Sequence, residues 1–517
     1  MGSRKLKNSI ILIAIVAVAG KLITYLVELL IAINFGASNT TDAFVMARAL
    51  PLRIGNIVSW GLYAAFVPFY VRLLKEDKAR AGVLSFYFSK NVFLYSLALS
   101  LLIAFGAEFI IRALAPGFNQ ETLGLAVNLL RIMSWSILLG NLAAIAQSVN
   151  SSRKHEFIAS SSQPLNNMII LFSILVAMRF LGIYAVAVGF FLGALCKLLS
   201  QFLSFNPSKE FPSNLREKLP KGLMRKIWKS FFAIAGILLI NECIMMAIRI
   251  FASHYEGAVS ILNYGFVIAQ APLLIIETLI FYYFFPLFVE QSDMPDRIEL
   301  RSNIQKFIRA ILFVLIPLSL MMFLLSGLIS RVLFLHGKFT WETVDKTAHA
   351  VALFSLSLIG LAIDALVFKV AIILGGIRKY SLIVILKLLL NLTLSVLFIK
   401  ILDPIIALSL AYSLSSILTT CLLFRYLEQF LKFKFGVPFL KNIFKISGIS
   451  LVSAGGVFIV RQIFVSNHLL AGFSSRLAAL FIAVLVGSGL YLYLAYLMKL
   501  GELGLINKLK ASEKGDK

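Results

Sequence analysis

Four ionisable side chains stand inside long apolar stretches of the sequence, in two matched pairs. Lys21 and Glu28 are seven residues apart, and the same spacing recurs with reversed signs in a later stretch, at Glu242 and Arg249. Seven residues make about two helical turns, so each pair projects from one face of a helix, roughly 10 Å apart along its axis. A charge at the centre of a bilayer costs at least ~2.5–3.5 kcal/mol, so we expect all four to face a protein interior or a watery cavity. They form either a structural ion-pair network or a polar cavity that receives an anionic headgroup.

A second group of charges begins the next apolar stretch, where Asp42 precedes two arginines that flank Pro51. The planar guanidinium makes paired hydrogen bonds to phosphate, so these arginines suit a phosphate-bearing ligand. Proline frees a backbone carbonyl and kinks its helix, and kinked helices often line transporter cavities. The candidate residues of a substrate cavity are therefore Lys21, Glu28, Asp42, Arg48, Arg53, Glu242 and Arg249, with Pro51 and Pro272 as candidate hinges.

Four further charges in apolar stretches are weaker candidates. They are Arg131, Asp364, Lys369 and Lys387. A long lysine side chain buries its stem and keeps its ammonium group among the headgroups, so we expect Lys369 and Lys387 to snorkel.

Signals of catalysis are missing from the sequence. Five scattered histidines show no metal-binding spacing, the phosphate-binding pattern G-x-x-x-x-G-K-[ST] does not occur, and no loop offers a nucleophile with its base. A membrane glycan polymerase or transferase would need a catalytic acid or base on a sizeable outer loop, and no such loop is predicted. The sequence therefore predicts a transporter, not an enzyme, without a cofactor. Its driving force would be the membrane potential, an ion gradient or consumption of the product outside.

The elements that position these residues are transmembrane helices. Hydrophobic residues make up 60% of the 517 residues and charged residues only 14%, where a soluble domain has about 25% charged residues. A soluble globule could not hide so much apolar surface. The net charge is +25, but the basic residues lie mostly in short gaps between apolar stretches, which fits the positive-inside rule and argues against nucleic acid as a partner.

Apolar stretches of roughly 20 residues or more predict an all-α integral membrane protein with about fourteen transmembrane helices. The predicted spans lie near 9–34, 42–73, 84–114, 121–149, 157–179, 181–205, 229–253, 258–289, 305–335, 346–374, 379–401, 404–430, 440–464 and 474–499. Basic residues precede the first span and fill alternate loops, so the N-terminus is predicted to be cytoplasmic. An even number of spans then places both termini in the cytoplasm, with the protein in a bacterial inner membrane.

The two halves of the sequence resemble each other. A shift of 221 residues aligns Gly36 with Gly257 and Pro51 with Pro272, and after a three-residue deletion Phe66-Val67-Pro68 matches Phe284-Phe285-Pro286. Such parallel repeats are common in transporters, whose substrate path lies between the lobes, although chance similarity among apolar helices is the alternative. We predict a lobe at 1–205, a basic linker at 206–228 lying on anionic lipids of the inner leaflet, a second lobe at 229–430, two extra helices at 431–500 and a cytoplasmic tail at 501–517.

Several ordered motifs resemble one family. Phe35-Gly36-Ala37, Thr41-Asp42-Ala43-Phe44, Leu50-Pro51 and Ala65-Phe66-Val67-Pro68 are similar to the opening of the MurJ (MviN) lipid II flippases. Further similarities follow in order at Ala115-Pro116-Gly117-Phe118, Gly337-Lys338-Phe339-Thr340 and Leu358-Ile359-Gly360-Leu361. The resemblance implies the multidrug/oligosaccharidyl-lipid/polysaccharide exporter fold: two six-helix lobes related by a pseudo-twofold axis, followed by two C-terminal helices.

The resemblance also implies a function. A flippase of this kind moves a lipid-linked peptidoglycan precursor, a polyprenyl diphosphate saccharide, from the inner to the outer leaflet by alternating access, with envelope-synthesis proteins as further partners. Two arginines of the family align with Val27 and Val267 in this sequence. The alternatives are a flippase for an exopolysaccharide or O-antigen repeat unit, a drug/cation antiporter of the same superfamily, and a non-transporting envelope-synthesis scaffold.

Overall fold

The structure is a computed structural model that describes residues 2–153, 155–203, 219–220, 222–280, 288, 291, 298–466 and 472–502. Within these residues the regular secondary structure is helical throughout, which confirms the all-α prediction. Most of the predicted linker, the Phe284-Phe285-Pro286 motif and the predicted tail beyond residue 502 lie outside the described residues.

The chain forms two compact units, and the first extends from Met1 to Ser260. Its helices are α1 (Gly2–Phe35), α2 (Asn39–Glu76), α3 (Lys78–Phe105), α4 (Ala107–Leu114), α5 (Gln120–Ser152), α6 (Glu156–Leu181), α7 (Tyr184–Phe202), α8 (Leu223–Ala252) and the first turn of α9 (Ala258–Ala269).

The second unit runs from Ile261 to Lys517. After α9 it contains α10 (Leu273–Leu279), α11 (Ile298–Phe334), α12 (Trp341–Ser355), α13 (Leu358–Leu374), α14 (Ile377–Ile399), α15 (Pro404–Leu431), α16 (Val437–Ser466) and α17 (Phe473–Leu497). The last two helices pack on α11, where the Tyr491 hydroxyl donates a 2.7 Å hydrogen bond to the Phe313 carbonyl.

The described helices account for nearly all the predicted spans. Twelve single helices of the described residues are long and apolar enough to cross a membrane, and α12 with α13, which are bent by 46°, make a thirteenth if the bent pair is one span. The remaining predicted span, 258–289, falls on the short helices α9 and α10 and on residues beyond 280, most of which lie outside the described set.

Two glycines that the repeat equates have the same unusual backbone. Gly36 follows α1 with φ of 68°, and Gly257 precedes α9 with φ of 72°. Residues with a Cβ rarely adopt this left-handed conformation, so glycine is favoured at both positions. The two prolines differ, however. The helix α2 continues through Pro51, whereas α9 ends at Ala269 and Pro272 stands immediately before α10.

Aromatic packing places α8 in the first unit. The ring of Trp228 lies 5.3 Å from that of Phe88, which in turn stacks 4.8 Å from Phe66. A Cβ added at Gly61 would lie 2.9 Å from the ring of Phe231, so the glycine lets α8 approach α2 closely. This packing holds together α2 and α8, the two helices that carry the arginines and Glu242 described below.

Candidate functional site

The first ion pair joins α1 to α2 inside the first unit. Arg48 Nη1 lies 2.5 Å from Glu28 Oε1, and both side chains are about nine-tenths buried. The guanidinium also lies 5.0 Å from the ring centroid of Phe44, one turn earlier on α2. A buried carboxylate without its counter-ion would be strongly destabilising, so the two charges depend on each other.

A second ion pair lies one to two turns further along α2 and reaches α8. Arg53 Nη1 lies 2.8 Å from Oε2 and 3.1 Å from Oε1 of Glu242. About a quarter of each side chain is exposed. The Arg53 Nε atom is buried and has no hydrogen-bond partner among the described residues. This pair is therefore less enclosed than the first.

Arg249 adds a third guanidinium from α8. Only 6% of the residue is exposed. The charges of Glu28, Glu242, Arg48 and Arg53 all act on it, so the two ion pairs and Arg249 form one electrostatic cluster. Three cations and two anions leave the cluster with one net positive charge.

Asp42 has a different position, at the start of α9. Its Oδ1 accepts a 2.7 Å hydrogen bond from the backbone N–H of Ser260, and the residue is 1% exposed. The first turn of a helix carries unsatisfied N–H groups and a partial positive charge, which a carboxylate stabilises. Nearby, the Asn39 amide donates a 2.8 Å hydrogen bond to Glu256. Asp42 therefore fastens the α1–α2 turn to the start of α9.

The structure thus gathers five of the seven predicted cavity residues into one cluster. Lys21 lies exposed on α1, two turns before the buried Glu28. Val27 is buried, whereas Val267 is half-buried in α9. Lys21 and Glu28 would share one face of an ideal helix, but here the first is exposed and the second is buried.

Two polar contacts of lysines were missed by the sequence reasoning. Lys387 does not snorkel: it is 5% exposed, and its ammonium lies 3.3 Å from Asp364. The reason is that α13 supplies a carboxylate within reach, which satisfies the charge inside the protein. On α7, Lys197 donates a 3.1 Å hydrogen bond to the Gln163 side chain of α6. Neither partner is close in sequence, so periodicity alone could not have found them.

Metal ligation finds no support in the part of the chain that the structure describes. There, no group of three or more histidine, cysteine, aspartate or glutamate side chains could hold an ion. The cluster of arginines and glutamates is instead a charged site inside a bundle of membrane-spanning helices.

Apolar helices of this length, with guanidinium groups held by carboxylates between them, define a polytopic membrane protein with a charged interior. The fold agrees. A solved structure titled "Lipid II flippase MurJ, inward closed conformation" superposes with a TM-score of 0.76 at 23% identity, covering 94% of this chain and 98% of that one. An inward-facing multidrug resistance MATE family transporter of the MOP superfamily superposes with a TM-score of 0.68 at 11% identity, covering 81% and 98% of the two chains.

Sequence comparison identifies the family. The family model described as "Lipid II flippase MurJ" matches residues 31–479. A probable lipid II flippase MurJ of Buchnera aphidicola subsp. Acyrthosiphon pisum is 30% identical over 364 residues, 68% of this chain and 70% of the relative. The lipid II flippase MurJ of Burkholderia cenocepacia is 25% identical over 344 residues, 65% and 67% of the two chains. The chain belongs to the MurJ lipid II flippase family, which confirms the resemblance noted in its motifs.

Proposed function

We propose that this protein carries a lipid II-type peptidoglycan precursor, a polyprenyl diphosphate saccharide, from the inner to the outer leaflet by alternating access. Membership of the MurJ family supports the cargo and favours it over an exopolysaccharide or O-antigen unit. The observation that carries the proposal is the cluster formed by Arg48, Arg53 and Arg249 with Glu28 and Glu242. It puts three guanidinium groups, the side-chain type best suited to phosphate, inside a transporter fold.

The two ion pairs have different roles in this proposal. The Glu28–Arg48 pair is buried and holds α1 to α2, whereas the Arg53–Glu242 pair is partly exposed. A diphosphate offers Arg53 shorter and stronger hydrogen bonds than a single carboxylate does, so it displaces Glu242 from that guanidinium. The arginines of α2 would then replace those that the family keeps at the positions of Val27 and Val267.

The orientation and the energy source belong to the same proposal. Both termini lie in the cytoplasm, the basic linker lies on anionic lipids of the inner leaflet, and envelope-synthesis proteins receive the cargo outside. The membrane potential or an ion gradient drives the cycle. Reporter fusions should place the 206–228 linker inside and Trp341 outside; an outside signal from the linker would contradict this orientation.

Complementation of a bacterium depleted of its own lipid II flippase tests the cargo. The unmodified protein should restore growth, and Arg53→Gln should restore it poorly, since the exchange removes charge-assisted hydrogen bonds worth roughly 1.5–3 kcal/mol. Arg72→Gln is the matched control, because Arg72 lies on the same helix, is 81% exposed and pairs with Glu76 one turn away. Failure of the unmodified protein at normal expression would contradict lipid II as the cargo.

A further inference from the structure

A separate charged pair lies in the second unit, between α13 and α14. Asp364 is 8% exposed and Lys387 is 5% exposed. The Lys387 ammonium lies 3.3 Å from Oδ2 of Asp364, and the Tyr380 hydroxyl donates a 2.7 Å hydrogen bond to Oδ1. Both oxygens of this intramembrane carboxylate are thus occupied by groups of the chain itself.

Two further buried polar side chains follow the pair on α14. The buried stripe of α14 continues from Lys387 to Asn391 and Ser395, each one turn further along. Asn391 is fully buried, and neither its amide nitrogen nor its amide oxygen has a hydrogen-bond partner among the described residues. The Ser395 hydroxyl is likewise buried without a described partner. Carboxylate, amide and hydroxyl oxygens are the ligands that hard cations prefer.

The packing around Lys387 holds its ammonium in this polar stripe. Its Nζ lies 6.0 Å from the ring centroid of Tyr412 on α15. On α13, Gly360 stands one turn before Asp364, and a Cβ there would lie 2.5 Å from the Ser416 hydroxyl of α15. The three helices therefore approach closely and enclose the charged pair.

An ionisable residue inside a membrane usually marks an ion pathway or the site of a coupling ion. We propose that Asp364 lies at a cation site that is permanently occupied by the ammonium group of Lys387. The lysine is a tethered cation, so this site takes up no dissolved sodium or potassium. An ion gradient therefore cannot supply energy through binding at Asp364. One turn after Lys387, the Asn391 amide oxygen is buried without a hydrogen-bond partner among the described residues, so it remains available as a cation ligand.

Removal of the tether tests the proposal. The variant Lys387→Met leaves the carboxylate and the oxygen donors in place, so sodium or potassium should bind there. The melting temperature of the purified protein is measured in sodium chloride, potassium chloride and choline chloride at equal ionic strength. The unmodified protein should melt at one temperature in all three salts. Lys387→Met should melt lower in choline and regain at least about 2 °C, saturably, in sodium or potassium.

Two controls isolate the site. Lys197→Met removes a membrane lysine that donates to the Gln163 amide, not to a carboxylate, and should create no salt preference. The double variant Asp364→Asn with Lys387→Met removes the negative ligand and should abolish the gain. The readout uses no cargo, so its outcome is independent of whether lipid II is the substrate.

Three results would overturn the proposal. One is a sodium- or potassium-specific rise in the melting temperature of the unmodified protein. Another is a Lys387→Met variant that melts identically in the three salts. The third is failure of both Lys387→Met and Lys387→Gln to fold in every salt.

The variant Lys387→Gln replaces Lys387→Met if the latter does not fold. Folding of either variant only in sodium or potassium supports the proposal.

Discussion

Arg53 and Glu242 are 189 residues apart in the chain, yet their side chains form an ion pair with a 2.8 Å separation. The pair joins α2 to α8 within the first unit, and about a quarter of each side chain remains exposed. It can therefore hold two helices together and still exchange its carboxylate for another anion. Exchange of the charges of Arg53 and Glu242 tests these two roles separately.

Reversal of the Arg53–Glu242 pair should restore stability without restoring transport. Arg53→Glu or Glu242→Arg alone sets like charges together and should lower the melting temperature. The double exchange re-forms the pair, with a coupling energy of about 0.5–3 kcal/mol. Because the guanidinium then projects from α8, complementation should remain poor. Strictly additive losses of stability would show that the pair is not formed. Full complementation by the double variant would show that transport does not depend on which helix carries the guanidinium.

Loss of the Glu28 charge should be more damaging than loss of a surface carboxylate. Glu28→Gln leaves the Arg48 guanidinium buried opposite a neutral amide, which costs about 3–5 kcal/mol when the partner of a buried pair is removed. The matched control is Glu108→Gln, since Glu108 is 57% exposed and pairs with Arg112 one turn away. Its loss should cost about 0.3–0.5 kcal/mol. Thermal denaturation in detergent compares the two, and equal losses would contradict the structural role of Glu28.

Asp42→Ala should loosen the start of α9. The exchange removes the acceptor of the Ser260 N–H, so the helix terminus should lose about 0.5–2 kcal/mol. Hydrogen exchange of the amides at 257–262 should accelerate, and complementation should fall with it. Asp77→Ala is a suitable comparison, because Asp77 caps α3 through the N–H groups of Ala79 and Arg80 and is partly exposed. That variant should fray α3 and leave the exchange at 257–262 unchanged.

Gly257→Ala should destabilise the turn before α9 for two reasons. The residue has a φ of 72°, which costs a residue with a Cβ roughly 1–2 kcal/mol. In addition, the new methyl group would lie 3.0 Å from the Ala37 carbonyl oxygen. Gly236→Ala in α8 is the control, because nothing lies within 4 Å of its Cβ position. Alanine should stabilise that helix by about 0.5–1 kcal/mol; a similar loss in both variants would contradict the backbone argument.

Much of the fold could be predicted because it depends on composition and length. Apolar stretches long enough to cross a bilayer were identified almost one for one, as the long helices from α1 to α17 show. The repeat matched Gly36 with Gly257, and the structure gives both a left-handed backbone, which the sequence comparison did not predict. The membership of the lobes and the orientation of the termini stay predictions.

The site was predicted less completely, because sequence spacing fixes a helix face but not its neighbour. The sequence singled out Glu28, Glu242 and Arg249, but it could not tell that α2 supplies the partners of both glutamates. Lys387 shows the same limit: snorkelling was expected from its chemistry alone, whereas a carboxylate on another helix decides its position. Which side chains form an ion pair depends on the packing of helices far apart in sequence, such as the fit of Phe231 against Gly61.

The location of α8 in the first unit bears on how the protein is made. A chain that leaves the ribosome in order has inserted α1 to α7 before α8 exists, yet the first unit extends to Ser260. Until α8 arrives, Arg53 has no Glu242 and the aromatic rings around Phe88 have no Trp228. The inserted helices α1 to α7 therefore remain incompletely packed, with the Arg53 side chain unpaired by Glu242, until α8 is inserted. Stalled chains that end before and after residue 260 should accordingly differ sharply in their resistance to protease.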